Sequence, residues 1–208
     1  MMSTLRATAL ALLLAAPASA QSVRPAALLP PVDKSISTVW TVDLTHSRLS
    51  FRVRHLVGKV EGNFGDWRAV IRTNGTDWTR GAADVTVRTG TIATRNVQRD
   101  ADLRSPRFFD VKNHPVMTFM STGLIRTDDV VEMGGLLTIK GITKPVVLRG
   151  LFLGRGKDAA GNERMGFEAS TIIKRKDFGL TYSEAIDGLP IVGDEATITI
   201  EVEAVKTN

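Results

Sequence analysis

The chain of 208 residues contains no cysteine, and its aromatic content is only 6%. Without thiols it has no disulfides, no cysteine nucleophile and no thiolate metal ligands. Cleavage after export likewise leaves no N-terminal cysteine that a lipid could modify. The fold therefore depends on its apolar core, and the roughly 170 residues from Val39 onward are enough to bury most of the apolar surface in one domain.

The common enzyme motifs are also missing. The sequence has no GxxxxGK(S/T) phosphate loop, no GxGxxG after a strand and no GxSxG nucleophile elbow. The three histidines, His46, His55 and His114, match no zinc-binding spacing. Asp100 and Asp102 are two residues apart on a predicted helix and point in different directions, which favours capping or surface roles over acid–base catalysis. We therefore expect a protein that is not an enzyme and uses no metal or cofactor.

The N-terminal segment has the features of an export signal. Arg6 precedes a short apolar stretch at 7–16, and the small residues 18–20 (ASA) provide a cleavage site. The stretch is too short to span a bilayer, and the clean cleavage site disfavours a retained anchor. We predict a signal peptide over 1–20, a flexible proline-containing lead-in over 21–38, and a periplasmic location.

Net charge is moderate and positive. The formal charge is +5, and loss of Arg6 with the signal peptide leaves 26 basic and 22 acidic residues, or +4. The basic residues are scattered, which is typical of a solvated surface. The alternative interpretation is weak attraction to anionic lipid head groups or to a phosphorylated ligand. Transient contact with a membrane surface and homodimerisation also stay open. Nucleic acid binding is not expected, because no basic stripe is present.

Alternation of apolar and polar residues dominates from residue 40 to the end and predicts an all-β fold. The clearest examples are residues 49–54, 83–88 and 196–203, each with one apolar and one polar face. Further strands are predicted at 64–72, 116–125, 130–140, 145–153 and 164–174. Asn74-Gly75 predicts a tight turn. Aligned inner faces, with no long amphipathic helices to cover them, favour closure into a barrel.

One polar segment, residues 94–110, interrupts the alternation. It predicts a short helix that Thr94 or Asn96 caps and that ends before Pro106. A structured excursion between two strands is a natural rim or lid for a barrel, and such connections often carry function.

The sequence resembles the YceI-like family of polyisoprenoid-binding proteins across residues 39–206. The segments that carry the resemblance are 40–43 (WTVD), 45–47 (THS), 51–55 (FRVRH), 60–65 (VEGNFG), 99–105 (RDADLRS), 108–110 (FFD), 115, 118–119 (TF), 121–122 (ST), 135–139 (GLLTI), 141–145 (GITKP) and 176–180 (KDFGL). The resemblance implies an eight-stranded antiparallel lipocalin-like barrel that binds an isoprenoid. It departs from the family at Asp102, where a histidine is usual. An acidic residue there would repel a pyrophosphate unless neighbouring arginines outweigh it.

The resemblance and the alternation together suggest a ligand site. An eight-stranded barrel is wide enough to be filled by side chains or to hold one slender ligand, and each buried CH₂ contributes about 0.8 kcal/mol. The inward residues expected to surround the lipid tail, or simply to fill the core, are Leu49, Phe51, Val53, Val85, Val87, Phe119, Leu137, Ile139, Phe167, Ile198 and Ile200. The residues expected near the head group are His46, His55, Arg99, Arg104 and His114. Pairing with nearby carboxylates is an alternative role for the arginines.

The function predicted is non-catalytic binding, carriage or storage of a long-chain isoprenoid, of the polyprenyl phosphate or quinone type, in the bacterial periplasm. The alternative is a ligand-free structural or stress-related protein of the cell envelope, with a fully packed barrel.

Overall fold

The computed structural model describes residues 38–75, 77–182, 184–186 and 189–207. The predicted signal peptide and all but the last residue of the predicted lead-in fall outside these ranges. That last residue, Thr38, begins the first strand and is buried.

Thirteen strands and one α-helix account for most of the described chain. The strands are β1 (Thr38–Val42), β2 (Arg48–His55), β3 (Gly58–Phe64), β4 (Trp67–Asn74), β5 (Asp77–Arg88), β6 (Ile92–Ala93), β7 (Val116–Thr127), β8 (Val130–Ile139), β9 (Ile142–Lys157), β10 (Glu163–Lys174), β11 (Ala185–Ile186), β12 (Leu189–Pro190) and β13 (Val192–Lys206). The helix is α1 (Val97–Arg104), and short 3-10 turns lie at Thr89–Thr91 and Arg175–Phe178.

Eight of these strands form a closed antiparallel ring, in the order β1-β4-β5-β7-β8-β9-β10-β13. The ring closes because β1 pairs with β4 on one side and with the end of β13 on the other, where Trp40 lies opposite Lys206. Closure removes the exposed strand edges that an open sheet would carry. The predicted eight-stranded antiparallel barrel is confirmed.

At the other end of the barrel, β13 takes a different neighbour. The first part of β13 pairs with β2, with Ile198 opposite Phe51, and β2 continues the sheet into β3 and β6. These three strands extend the sheet beyond the ring at one end of the barrel. We call that end the mouth; the Trp40–Lys206 pair lies at the far end.

The strand predicted over 64–72 is interrupted. Phe64 ends β3 and Trp67 begins β4, with a bend at Gly65 and Asp66 between them. β3 is not among the predicted strands. The turn at Asn74-Gly75 is confirmed between β4 and β5, with Gly75 at φ 56°.

The predicted helix is confirmed within the excursion at the mouth. Asn96 caps α1 by accepting a hydrogen bond from the Arg99 backbone N–H at 2.9 Å, and the helix ends one residue before Ser105-Pro106. Within the described ranges, no helix is both long and apolar enough to cross a membrane.

The main core lies inside the barrel and continues under the excursion. It joins Leu49, Trp67 and Phe119 from the walls with Phe108 and Phe178 from the mouth. The Phe119 ring occupies the space over Gly135 on the neighbouring strand, where an added Cβ would lie 2.3 Å from the ring. A smaller cluster around Trp78, Leu124 and Val131 forms part of the far end.

Candidate ligand-binding site

The barrel encloses an apolar cavity of about 160 Å³. It is lined by inward side chains from β2 and from all the ring strands except β1. These side chains reach the interior because alternation directs every second residue of a strand inward. Trp67 stands towards the mouth and Trp78 towards the far end, and both are almost fully buried. An apolar cavity of this size stays dry and accepts apolar ligands.

A second cavity of about 590 Å³ lies at the mouth. Its walls are the β2–β3 hairpin, α1 with the loop that follows it, and the segments around Arg175–Tyr182 and Ile191–Val192. The linings of the two cavities come next to each other on β2, where Leu49 lines the inner cavity and Phe51 lines the mouth cavity. An aromatic row lies at this junction: the ring centroids of Phe51 and Phe64 are 5.7 Å apart, and those of Phe64 and Phe109 are 5.9 Å apart.

The structure divides the eleven predicted tail residues between the two cavities. Phe51 and Val53 line the mouth cavity. The nine that line the inner cavity are Leu49, Val85, Val87, Phe119, Leu137, Ile139, Phe167, Ile198 and Ile200. All eleven belong to, or pack against, the buried clusters. Their contact with a ligand stays a prediction.

The predicted head-group residues do not gather in one place. Only His55 and Arg99 line the mouth cavity. His46 lies near the far end, paired with Asp43 at 2.9 Å. Arg104 donates to the carbonyl oxygens of Gly90 at 2.8 Å and Ile92 at 2.6 Å, so it ties α1 to the barrel. His114 lies half-buried against the turn at Gly141 and lines neither cavity.

Arg99 is also partly occupied by local structure. Its guanidinium donates to the Thr94 hydroxyl at 2.7 Å and to the Thr94 carbonyl at 2.8 Å. Asp100, on the same helix, is buried and accepts hydrogen bonds from the Thr94 N–H and hydroxyl at 2.8 and 2.5 Å. These bonds fix the start of α1 beside the mouth cavity, which agrees with a structural role for Asp100.

Charge at one side of the mouth is arranged around Arg107. Its guanidinium lies 3.2 Å from the Glu184 carboxylate and 3.7 Å from that of Asp102, and it stacks over the Tyr182 ring at 4.3 Å. Glu184 raises the pKa of the Tyr182 hydroxyl by accepting its hydrogen bond. Asp102, the position where the family usually has histidine, is therefore countered by a neighbouring arginine.

A buried cation that no sequence pattern marks lines the mouth cavity. Arg175 is only 5% exposed, and burial lowers the pKa of its guanidinium. The guanidinium donates to the carbonyl oxygens of Gly193 at 2.8 Å, Val192 at 3.2 Å and Leu180. Among the described residues, no carboxylate forms an ion pair with it within 4 Å, and the charge of Asp194 acts on it from a longer distance.

Far from the mouth, Arg164 joins β1, β10 and β13 at the seam of the barrel. It contacts the carboxylates of Asp43 and Asp158 at 2.9 Å and that of Glu203 at 2.5 Å. The hydrogen bond from Arg164 lowers the pKa of Asp43 well below its ordinary range, and those from Asn162 and Arg164 lower that of Asp158 to about 2. Asp43, Glu203 and His46 together could in principle hold a metal ion. Arg164 already supplies the positive charge that their carboxylates require.

Known proteins with similar sequences identify the family to which this chain belongs. A family model for the YceI-like domain matches residues 40–204. The chain belongs to the YceI-like family. The YceI protein of Salmonella arizonae is 32% identical over 184 residues, which is 87% of this chain and 94% of that protein. The resemblance inferred from the sequence motifs is therefore confirmed.

Solved structures give the same result for the fold. The YceI protein of Campylobacter jejuni superposes with a TM-score of 0.66 at 34% identity, covering 74% of this chain and 90% of its own. A polyisoprenoid-binding domain from Saccharophagus degradans, implicated in plant cell wall breakdown, superposes with a TM-score of 0.61. The superposition covers 81% of this chain and 99% of that domain. Because the two sequences are only 16% identical, the comparison shows a shared fold alone.

Several lining residues had not been identified from the sequence. The inward positions Trp67, Ala69 and Met133 follow the same alternation as the predicted set, so the pattern could have revealed them. Phe108 and Tyr182 lie in irregular segments at the mouth, and no periodic signal marks them.

Proposed function

We propose that this YceI-like protein binds a long-chain isoprenoid lipid and carries or stores it in the bacterial periplasm without chemical change. The observation that carries the proposal is the pair of adjoining cavities, one apolar and enclosed by the barrel, the other larger and partly polar at the mouth. This arrangement suits a molecule with a long apolar tail and one polar end.

The inner cavity suits the tail because it offers an apolar wall with few hydrogen-bonding groups. Each methylene group of a ligand that leaves water there contributes about 0.8 kcal/mol. At about 160 Å³ the inner cavity holds only a short part of a polyprenyl chain. The remainder would pass the rings of Phe51, Phe64 and Phe109 and lie in the mouth cavity.

The mouth suits an anionic head group. Arg175 contributes a buried positive charge with no carboxylate within 4 Å among the described residues, and Arg99 lines the same cavity. Electrostatic attraction is strong where water is excluded. Within the isoprenoid class we therefore favour a polyprenyl phosphate over a quinone. The shared fold of the Saccharophagus polyisoprenoid-binding domain supports the ligand class.

The experiment compares two ligands that differ only at the head. A polyprenyl monophosphate and the matching polyprenyl alcohol are titrated into the purified protein, and quenching of Trp67 and Trp78 by a brominated tail reports entry into the barrel. We expect both ligands to bind and the phosphate to bind more tightly than the alcohol.

Native mass spectrometry and organic extraction of the protein as purified give the independent measurement. A discrete co-purifying hydrophobic mass is the expected result. Bare protein in repeated spectra, together with no quenching by either ligand, would overturn the proposal and favour a barrel without a ligand. Equal affinity for alcohol and phosphate would refute the head-group assignment alone.

A further inference from the structure

Two valines on the mouth are far more exposed than any other large apolar residue in the described part of the chain. Val57 is 104% exposed relative to its reference and Val97 is 87% exposed, whereas the next, Ile172, is 63% exposed. A single exposed apolar residue is ordinary, but these two belong to elements that border one cavity.

Both valines lie on the rim of the mouth cavity. Val57 is at the turn of the β2–β3 hairpin, two residues after His55, which lines the cavity. Val97 is the first residue of α1, and both of its chain neighbours, Asn96 and Gln98, line the cavity. The hairpin and the helix therefore each place one valine beside the same opening.

The backbone fixes how the two valines are presented. Leu56, directly before Val57, has φ 50°, and its N–H donates to the Ile191 carbonyl at 2.9 Å. Arg95, two residues before Val97, has φ 62°. A positive φ is uncommon for residues with a side chain and persists only where the surrounding structure holds it.

The charge on these two segments has one sign. Residues 54–59 (RHLVGK) and 94–99 (TRNVQR) contain Arg54, Lys59, Arg95 and Arg99, one histidine and no carboxylate. Arg54, Lys59 and Arg95 are exposed. Asp102 and Glu184 lie on other segments of the mouth and contact Arg107, and Asp194, beside Gly193, acts on the buried Arg175. Exposed apolar residues among cations complement a surface that is apolar beneath a negatively charged layer.

We propose that the Val57 and Val97 rim docks the mouth of the barrel onto a bilayer that contains anionic phospholipid. The valines would enter the interfacial region while the nearby cations contact the head groups. The mouth cavity would then open towards the membrane, so that a lipid can exchange without crossing water. This exchange role rests on the proposed lipid-binding function, whereas docking itself does not.

The test measures partition of the purified protein into phosphatidylglycerol vesicles and into phosphatidylcholine vesicles, by co-sedimentation at low salt. We expect binding to the anionic vesicles and much weaker binding to the neutral ones. The double variant V57S/V97S should bind anionic vesicles at least tenfold more weakly, since each valine loses its apolar burial. The double variant K59Q/R95Q should lose about 25-fold in binding to anionic vesicles, at roughly fivefold per cation near the surface.

The matched control is I172S, which removes an exposed apolar residue from β10 on the outer wall of the barrel. It should bind like the unmodified protein, and circular dichroism checks the folding of each variant. Absence of anionic vesicle binding, or equal losses in I172S and V57S/V97S, would overturn the proposal.

The same protein samples are probed for bound lipid by native mass spectrometry. Vesicle binding without any lipid uptake would leave the docking rim standing and refute the lipid-carrier function. Lipid uptake without vesicle binding would do the reverse.

Discussion

The substitution Ala83→Leu tests whether the inside of the barrel is a ligand cavity or a packed core. Ala83 on β5 is buried and lines the inner cavity, between neighbours on β4 and β7. Leucine adds three carbon atoms at this position. A vacant cavity accepts them, whereas a fully packed core must distort to make room for them.

The two possibilities predict opposite signs for the change in stability. Three additional buried carbons contribute about 2.4 kcal/mol at 0.8 kcal/mol per group, so in a vacant cavity the free energy of unfolding of the ligand-free protein rises by up to that amount. In a packed core it falls by about 1–3 kcal/mol. If leucine occupies the place of three ligand carbons, lipid affinity falls by the same 2.4 kcal/mol, which is about 60-fold.

Urea denaturation of delipidated protein gives the stability change, and quenching of Trp67 and Trp78 gives the affinity change. Ala82→Leu is the matched control because Ala82 is the preceding residue on the same strand and is directed outward. It should change lipid affinity little. Destabilisation of the Ala83 variant with unchanged lipid affinity would refute the cavity as the tail site.

Two further predictions concern the ends of the barrel. Removing the cation in Arg164→Gln should lower the melting temperature most above pH 5 and progressively less below pH 4. Asp43 and Asp158 have lowered pKa values in the folded protein, so they stabilise the fold while they are ionised, and this contribution is lost as acid protonates them. A loss of melting temperature that does not depend on pH would contradict this. Asp100→Ala leaves the buried Thr94 N–H without its acceptor and should cost about 1–3 kcal/mol in urea denaturation, with faster hydrogen exchange in α1; exchange as slow as in the unmodified protein would count against the role of Asp100.

The sequence reveals the barrel well because three strand segments, 49–54, 83–88 and 196–203, follow clear alternation. The strand it conceals, β3, shows why the pattern can fail. The inward position between Val60 and Phe64 on β3 is Gly62, and the Phe51 ring fills the space that a side chain would take. The apolar group at that position is supplied by a neighbouring strand, so the local sequence shows no regular alternation.

The candidate head-group site was harder to predict because it depends on which end of the barrel a residue reaches. His46 and His55 are separated by β2 (Arg48–His55), whose seven residue steps correspond to roughly 23 Å. They could not contact one head group, and the structure places them towards opposite ends. Arg175, by contrast, gains its significance only from burial among backbone carbonyls that are distant in sequence.

The division of β13 between two neighbours has a consequence for how relatives of this protein can diverge. β13 pairs with β1 near the Arg164 seam and with β2 near the mouth, so the ring closes without help from the β2–β3 hairpin. Insertions or deletions at the hairpin turn then change the rim while the strand register of the ring is preserved. Selection for a different head group or a different docking surface can act there independently of selection on the length and width of the apolar interior.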